Sequence, residues 1–277
     1  GDAAGAHAFT AARLLRAVPA DGVHPARQLE PLRAWELGIQ LASVELSSPG
    51  LALDLHRAMF ARNGAQGYVR KPDWLVSSTG SGSPRSVLFS SSLSARDALV
   101  LNKRPVRPHR GALRLRLLGG LGAAHSRARL PHAVYVRCAL LSAFGDIDES
   151  STRAARLNGG KLALDKEFTF STDVAELAFL RVELHASGAQ HPTREPVGSF
   201  TAWLPAIGPG LRMFELTGST GVPKFSLLCR VALELEFVLD DDDDDDVDLD
   251  AATLIDGRLE IDGFANVKAA EDVPMPS

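Results

Sequence analysis

The feature that most constrains the fold is a change of hydrophobic period within the chain. Within residues 111–237 several segments have apolar residues at every second position, and the longest such series is Phe225 to Phe237. A period of two is typical of strands that bury one face and leave the other in water. Several segments of this kind at intervals predict an antiparallel β-sandwich over residues 111–237.

Residues 1–75 have a different pattern, in which short apolar runs alternate with a helical period. Leu14 to Val18 and Ile39 to Leu46 are predicted strands. Ser48 and Pro49 are suited to begin a helix, and Asn63-Gly64 is suited to end it. The predicted apolar face of this helix is Leu51, Leu55, Ala58 and Met59. A strand followed by an amphipathic helix predicts a β/α unit, and hence a parallel sheet or barrel.

Two further segments separate and follow these parts. Residues 76–110 are rich in Ser, Gly and Pro and are predicted to be a linker. Residues 238–277 begin with the acidic run Asp240 to Asp246, and we expect a solvated, disordered tail there. The chain begins with Gly-Asp-Ala-Ala rather than Met, and we expect it to be a fragment.

Composition narrows the function classes. The net charge is −4, and no basic run with interleaved aromatic residues is present, so nucleic acid is not an expected partner. No apolar stretch is long enough to span a bilayer. The two cysteines, Cys138 and Cys229, lie in alternating apolar segments and are expected to be buried thiols without metal.

The most specific motif spans Met59 to Leu75, with the sequence M-F-A-R-N-G-A-Q-G-Y-V-R-K-P-D-W-L. It resembles the end of the Y-box half-barrel of eukaryotic phosphoinositide-specific phospholipases C, which has the pattern F-x-x-N-G-x-x-G-Y-V-x-K-P-x-(F/W)-L. Trp35, Gly38 and Gln40 upstream agree with the same family. Tyr68 and Trp74 of the motif are expected to be buried against the barrel wall. The segment Ala178 to Val182 resembles the A-L-L-R-F strand of the C2 domain that follows the barrel. The resemblance covers roughly residues 13–237.

This resemblance implies the C-terminal part of a TIM-type (β/α) barrel followed by an antiparallel C2-type β-sandwich. It also implies a phosphoric diester hydrolase that cleaves inositol phospholipids to diacylglycerol and inositol phosphate in intracellular lipid signalling. The implied location is cytoplasmic and peripheral at the membrane. The expected partners are the inositol phospholipid, the membrane surface and the X half-barrel of the same protein.

The family's paired histidines and most of its calcium ligands belong to the X half-barrel, which this sequence lacks. We therefore assign no catalytic and no metal-binding residue here, and expect the chain alone to be inactive and to bind no calcium. The eight histidines, among them His56 and His185, are scattered and are expected at the surface.

One residue of the substrate site is implied. The family's S-R-(I/V)-Y-P run aligns with Leu15-Arg16-Ala17-Val18-Pro19, so Arg16 is the expected ligand of the substrate phosphate. The alternative for Arg16 is a solvent-exposed side chain beside a strand end. Val18 replaces the Tyr that packs on the inositol ring, and the family's D-S-S-N-Y motif is lost. These departures favour an alternative function, that of a catalytically inactive, phospholipase-like membrane-binding or scaffold protein.

The sandwich also departs from calcium-dependent members of the family. Ala133 to Val136 and His185 to Gly188 stand where those members carry aspartates. Asp146, Asp148 and Glu149 lack the family spacing and are interpreted as part of a surface loop. We therefore predict a sandwich that meets lipid without calcium, through basic residues such as Arg127 and Arg129.

Overall fold

In the computed structural model the described part of the chain contains short helices and two β-sheets. The structure describes residues 6, 9–11, 13–19, 29–47, 49–76, 108–126, 130–188 and 195–236. The predicted linker between 77 and 107 and the predicted acidic tail lie outside the described residues, as do Arg127, Arg129 and the proposed helix cap Ser48. The division of the chain into four parts stays a prediction.

The elements are numbered here in chain order. The helices are α1 (Pro31–Glu36), α2 (Leu51–Ala61) and α3 (Asp73–Val76). The strands are β1 (Arg16–Ala17), β2 (Leu41–Ala42), β3 (Arg110–Gly122), β4 (Ala133–Leu141), β5 (Ile147–Ser151), β6 (Ala155–Arg156), β7 (Lys161–Thr172), β8 (Phe179–Ala186), β9 (Gly198–Trp203), β10 (Gly210–Thr217) and β11 (Pro223–Glu236).

Strands β1 and β2 form a parallel pair, with Arg16 beside Leu41 and Ala17 beside Ala42. The predicted parallel β/α unit is therefore present, although each strand has two residues where the sequence suggested five to eight. The side chain of Gln40 ties the segment before β1 to the segment before β2. Its Oε1 accepts from the Leu15 N–H at 3.0 Å, and its Nε2 donates to the Thr10 carbonyl at 2.8 Å.

Helix α2 follows this pair as predicted, but one residue of its buried face differs from the prediction. Leu55, Ala58 and Met59 are buried, whereas Leu51 at the first position is exposed and Leu53 is buried in its place. The helix begins after Gly50. Leu51 is exposed because it lies at the open N-terminal end, where no strand of the described chain covers it.

The antiparallel strands form two layers over one core, which agrees with the predicted sandwich. Their hydrogen-bonded order is β5-β4-β8-β9-β10-β11-β3-β7, with β6 beside β4. A single residue pair, Thr217 with Ser199, joins β9 to β10, so the order divides there into two groups of four. The inward side chains of both groups share one hydrophobic core, which includes Val136, Leu180, Leu115 and Phe225.

A second apolar cluster joins the helices to the outer side of β4 and β8. Trp35 of α1 lies 5.9 Å, centroid to centroid, from the ring of Phe179 on β8. Leu55 and Met59 of α2 belong to the same cluster as Leu141 of β4. The described residues up to Glu236 accordingly lie within one compact unit. The apolar stripe of α2 is thus buried by the sandwich.

A chain of charged side chains lies beside this cluster. Arg181 of β8 donates through Nη1 to Asp54 Oδ2 of α2 at 2.7 Å, and through Nε to Glu183 Oε1 at 2.6 Å. Arg181 Nη1 also lies 3.0 Å from Thr201 Oγ1 of β9. The Arg181 side chain is 11% exposed, so this pair is largely removed from water. Breaking one member of such a pair leaves the other charge buried without compensation.

We expect Arg181→Ala to lower the free energy of unfolding by about 3 kcal/mol, because Asp54 and Glu183 lose their shared cation. Urea denaturation of the 277-residue chain measures the change. Arg57→Ala is the matched control, since Arg57 is exposed on the same helix α2 and should change stability by less than about 0.5 kcal/mol. Equal effects of the two substitutions would contradict the importance of the Arg181 pair.

A second polar contact joins α1 to the turn Ala143–Gly145 after β4. Phe144 has a positive φ of 67°, a backbone conformation that residues other than glycine rarely adopt. Its N–H donates to Glu36 Oε1 of α1 at 2.5 Å. Burial raises the pKa of Glu36 above its ordinary value, although the Phe144 N–H and the nearby Arg33 oppose that rise.

This raised pKa predicts a pH dependence of stability. As pH rises, Glu36 loses its proton at a lower pH in the unfolded chain than in the folded chain. Because the unfolded state then binds fewer protons, stability falls as pH rises from about 4.5 through the raised pKa. Glu36→Gln keeps an acceptor for the Phe144 N–H but cannot ionise, so it should remove this part of the decline. Urea midpoints of both proteins between pH 4 and pH 8 measure it. Parallel pH profiles would show that Glu36 does not contribute.

Candidate functional site

Arg16 lies on the first strand of the parallel pair, and its side chain reaches the segment that follows the second strand. It is the first residue of β1, is exposed, and donates from Nε to Ser43 Oγ at 3.0 Å. Ser43 follows the last residue of β2, and its N–H donates to the Ala17 carbonyl at 3.0 Å. Since Nε is bonded to Ser43, the two terminal nitrogens of the guanidinium remain for an anion, which they can bind in bidentate fashion.

The surroundings of Arg16 lack several groups that the family resemblance leads one to expect. Val18 is 56% exposed and offers no aromatic ring. Glu45 lies just beyond Ser43, where its Oε1 accepts from the Ser47 hydroxyl at 2.6 Å. In the described residues no group of three or more His, Cys, Asp and Glu side chains could hold a metal ion. Among the described residues, Arg16 is the one for which the family resemblance suggests a substrate role.

The structure corrects the interpretation of Asp148 and Glu149 as loop residues. Both lie on strand β5, paired with Leu140 and Ala139 of β4. Because neighbouring strand residues point to opposite faces, these carboxylates cannot converge on one cation. Glu149 instead forms an ion pair with Arg137 of β4.

His185 was expected at the surface, and this expectation is wrong. The residue is 7% exposed, and its ring stacks on Tyr135 with centroids 5.1 Å apart. Its Nε2 lies 3.0 Å from Glu183 Oε2. Although burial raises the pKa of Glu183, His185 and Arg181 together lower it to about 2. His185 therefore extends the charged chain that begins at Asp54, which no sequence spacing indicated.

The motif from Met59 to Leu75 packs its Trp and exposes its Tyr. Trp74 is buried, whereas Tyr68, expected to pack on the same wall, is 82% exposed. Gly64 and Gly67 both have positive φ, at 67° and 77°, so the chain can reverse after α2. Arg62 is the residue that follows α2, and its guanidinium lies over the Trp203 ring at 3.9 Å from the centroid. Burial lowers the pKa of Arg62 to about 10. The motif therefore attaches the end of α2 to the sandwich.

The two cysteines lie in the core between the layers, as expected. Both are free and buried. Burial raises the pKa of Cys229 to about 12 and that of Cys138 further, so neither thiol ionises near neutral pH. They act as small apolar side chains and belong to no reactive site.

The parallel β/α segment packs on the two-layer antiparallel sandwich, which is the arrangement that the resemblance in the sequence implies. Residues 2–74 match the family model described as the Y domain of phosphatidylinositol-specific phospholipase C. The match contains Arg16, Ser43, α1 and α2. The matched range also includes nearly all of the motif at Met59 to Leu75.

Relatives extend the likeness into the sandwich. Phosphoinositide phospholipase C 2 of Arabidopsis thaliana is 28% identical over 238 residues, which are 83% of this chain and 37% of that protein. The 1-phosphatidylinositol 4,5-bisphosphate phosphodiesterase zeta-1 of Mus musculus is 24% identical over 212 residues, or 76% of this chain and 30% of that protein. The chain thus spans about a third of the length of these curated relatives.

A solved structure shows the same fold. The crystal structure of L. pealei PLC21 superimposes with a TM-score of 0.66 at 18% identity, covering 86% of this chain and 28% of that one. The predicted resemblance to the C-terminal part of the phosphoinositide-specific phospholipases C is therefore confirmed, and the antiparallel part of the chain is a C2-like β-sandwich. None of the helices in the described ranges is long and apolar enough to cross a membrane.

Proposed function

We propose that the protein to which this chain belongs hydrolyses the phosphodiester of inositol phospholipids at a membrane surface, releasing diacylglycerol and an inositol phosphate. The observation that carries this proposal is the Y-domain match over residues 2–74, which includes the exposed Arg16, whose guanidinium reaches Ser43 at the carboxyl edge of β2. Ligand sites of barrels built from parallel strands lie at this edge.

In this proposal Arg16 binds the substrate phosphate. With Nε held by Ser43, the guanidinium presents its terminal nitrogens to two phosphate oxygens and offsets the negative charge that grows in the transition state. Calcium, when bound, would polarise the phosphate and favour ionisation of the attacking inositol hydroxyl. We place its ligands, and the general acid and base, in the X half-barrel.

The open edge of the parallel pair is the proposed contact with that X half-barrel. Leu14, Leu41 and Leu46 are exposed by 76%, 52% and 72% around β1 and β2. Two strands of two residues cannot close a barrel. The remaining strands of a TIM-type barrel would cover these side chains and complete the site around Arg16.

The alternative is a catalytically inactive, phospholipase-like membrane-binding or scaffold protein. The exposed side chain at position 18 favours it, because a valine cannot stack on an inositol ring as the family's tyrosine does. Glu45 favours it as well, since a carboxylate at this edge repels a phosphate.

The first test uses the parent protein that contains this chain. Arg16→Ala should lower kcat/KM on inositol phospholipid in mixed micelles by a factor that corresponds to about 2–4 kcal/mol of transition-state stabilisation. Arg16→Lys should recover part of the loss, because it restores the charge but not the bidentate geometry. A change below about twofold for Arg16→Ala would remove Arg16 from the site, and a parent without turnover would favour the scaffold.

The second test uses the 277-residue chain alone. We expect no hydrolysis of inositol phospholipid with or without calcium, because the proposed general base and metal ligands are not part of this chain. Release of radiolabelled inositol phosphate from mixed micelles measures it, with the parent protein as the positive control. If the chain alone hydrolyses the lipid, and Arg16→Ala abolishes that hydrolysis, the whole reaction takes place within these residues.

A further inference from the structure

An apolar surface lies on the outer face of the layer made by β10, β11 and β3. Its members are exposed hydrophobic side chains from all three strands, with a fifth from the turn before β11. They are Leu121 (39% exposed), Leu211 (55%), Met213 (69%), Val222 (40%) and Leu228 (43%). We call these five residues the β10–β11 surface. Contiguous exposed apolar residues on a folded protein usually mark a binding site.

The strand register places Met213, Leu228 and Leu121 near one another on the outward face. Met213 of β10 is paired with Leu228 of β11, and Leu228 is paired with Gly119 of β3. Leu121 is paired with Ser226, two residues before Leu228 on the same face. The inward positions between them, such as Leu227 and Phe214, are buried in the core. The outward leucines and methionine therefore do not belong to the hydrophobic core of the sandwich.

Cations border this surface on β11. Lys224 and Arg230 share the outward face with Leu228, and Arg230 is paired with Leu211 of β10. Neither cation has an ion-pair partner in the part of the chain that the structure describes. Arg116, beside Arg230, is engaged by Asp165 at 2.7 Å, and Glu215 is the acidic residue on the outward face of β10.

We propose that the β10–β11 surface docks on an anionic lipid bilayer. Long apolar side chains between two unpaired cations suit the boundary between headgroups and acyl chains, because Lys224 and Arg230 can contact phosphates while Met213 and Leu228 enter the apolar layer. The inference rests on the proposed function, in which the parent protein acts on a membrane lipid. It assigns the contact to the outer face of a sheet, away from the loops that would carry calcium.

The test is sedimentation of the 277-residue chain with phosphatidylcholine vesicles that contain or lack phosphatidylserine. Met213→Glu and Leu228→Glu should each lower partitioning about tenfold, since each removes the burial of one large apolar side chain and adds an anion. Arg230→Gln should lower it about fivefold on phosphatidylserine vesicles and little on neutral ones. Ile147→Glu is the matched control, because Ile147 is 60% exposed on β5 of the other layer, and its partitioning should stay within twofold of wild type.

A chelator should leave binding unchanged. The proposal is overturned if the wild-type chain does not sediment with either vesicle, if Ile147→Glu loses as much binding as Met213→Glu, or if binding requires calcium. If the chain does not bind vesicles but self-associates with increasing concentration, and Met213→Glu abolishes this self-association, the surface binds a second copy of the chain instead. Urea midpoints of the variants confirm that they fold. Hydrolysis by the parent protein is measured separately, so an inactive parent whose chain still docks through Met213 refutes only the proposed function.

Discussion

The described structure depends on the burial of one helix face between two parts of the chain that differ in architecture. Helix α2 has an apolar stripe that the two short parallel strands cannot cover, and the sandwich provides the missing surface through Leu141 and Phe179. Burial of several such side chains stabilises the joint by an amount that exceeds any single polar contact. Arg181 and Arg62 then fix the helix at both ends, by an ion pair to Asp54 and by a ring contact with Trp203.

This arrangement gives the substrate residue its setting. Arg16 lies on a strand of two residues, which is too short to be stable alone. Ser43 holds its side chain and Gln40 holds the preceding residue, Leu15. The segment that carries both lies between α1 and α2, which rest on the sandwich. A phosphate ligand at the edge of an incomplete barrel is thus positioned by a domain of another fold class. The two parts are a single structural unit in the described residues, although their sequences have different periods.

Much of the fold follows from the sequence because its signals are local. Alternation with period two predicts the buried residues of β3 and β11, and the motif at Met59 to Leu75 indicates the family from sequence alone. The charged chain was not predictable, because Asp54 and Arg181 are separated by 127 residues and no spacing connects them. The same reason explains His185, whose burial depends on Tyr135 of another strand, and Tyr68, whose burial requires a partner surface that the described chain does not provide.

The single pair of Thr217 and Ser199 between the two layers has a thermal consequence. Within each layer the strands are joined by ladders of backbone hydrogen bonds. In the described residues this is the one strand pair across the boundary, beside a hydroxyl contact between Ser142 and Thr172 at 2.5 Å. The layers are therefore held together almost wholly by apolar contact, and the hydrophobic contribution to that contact weakens on cooling. Hydrogen-bonded ladders carry no such dependence of comparable size. The joint between the layers, rather than either sheet, is accordingly the cold-sensitive element of the sandwich.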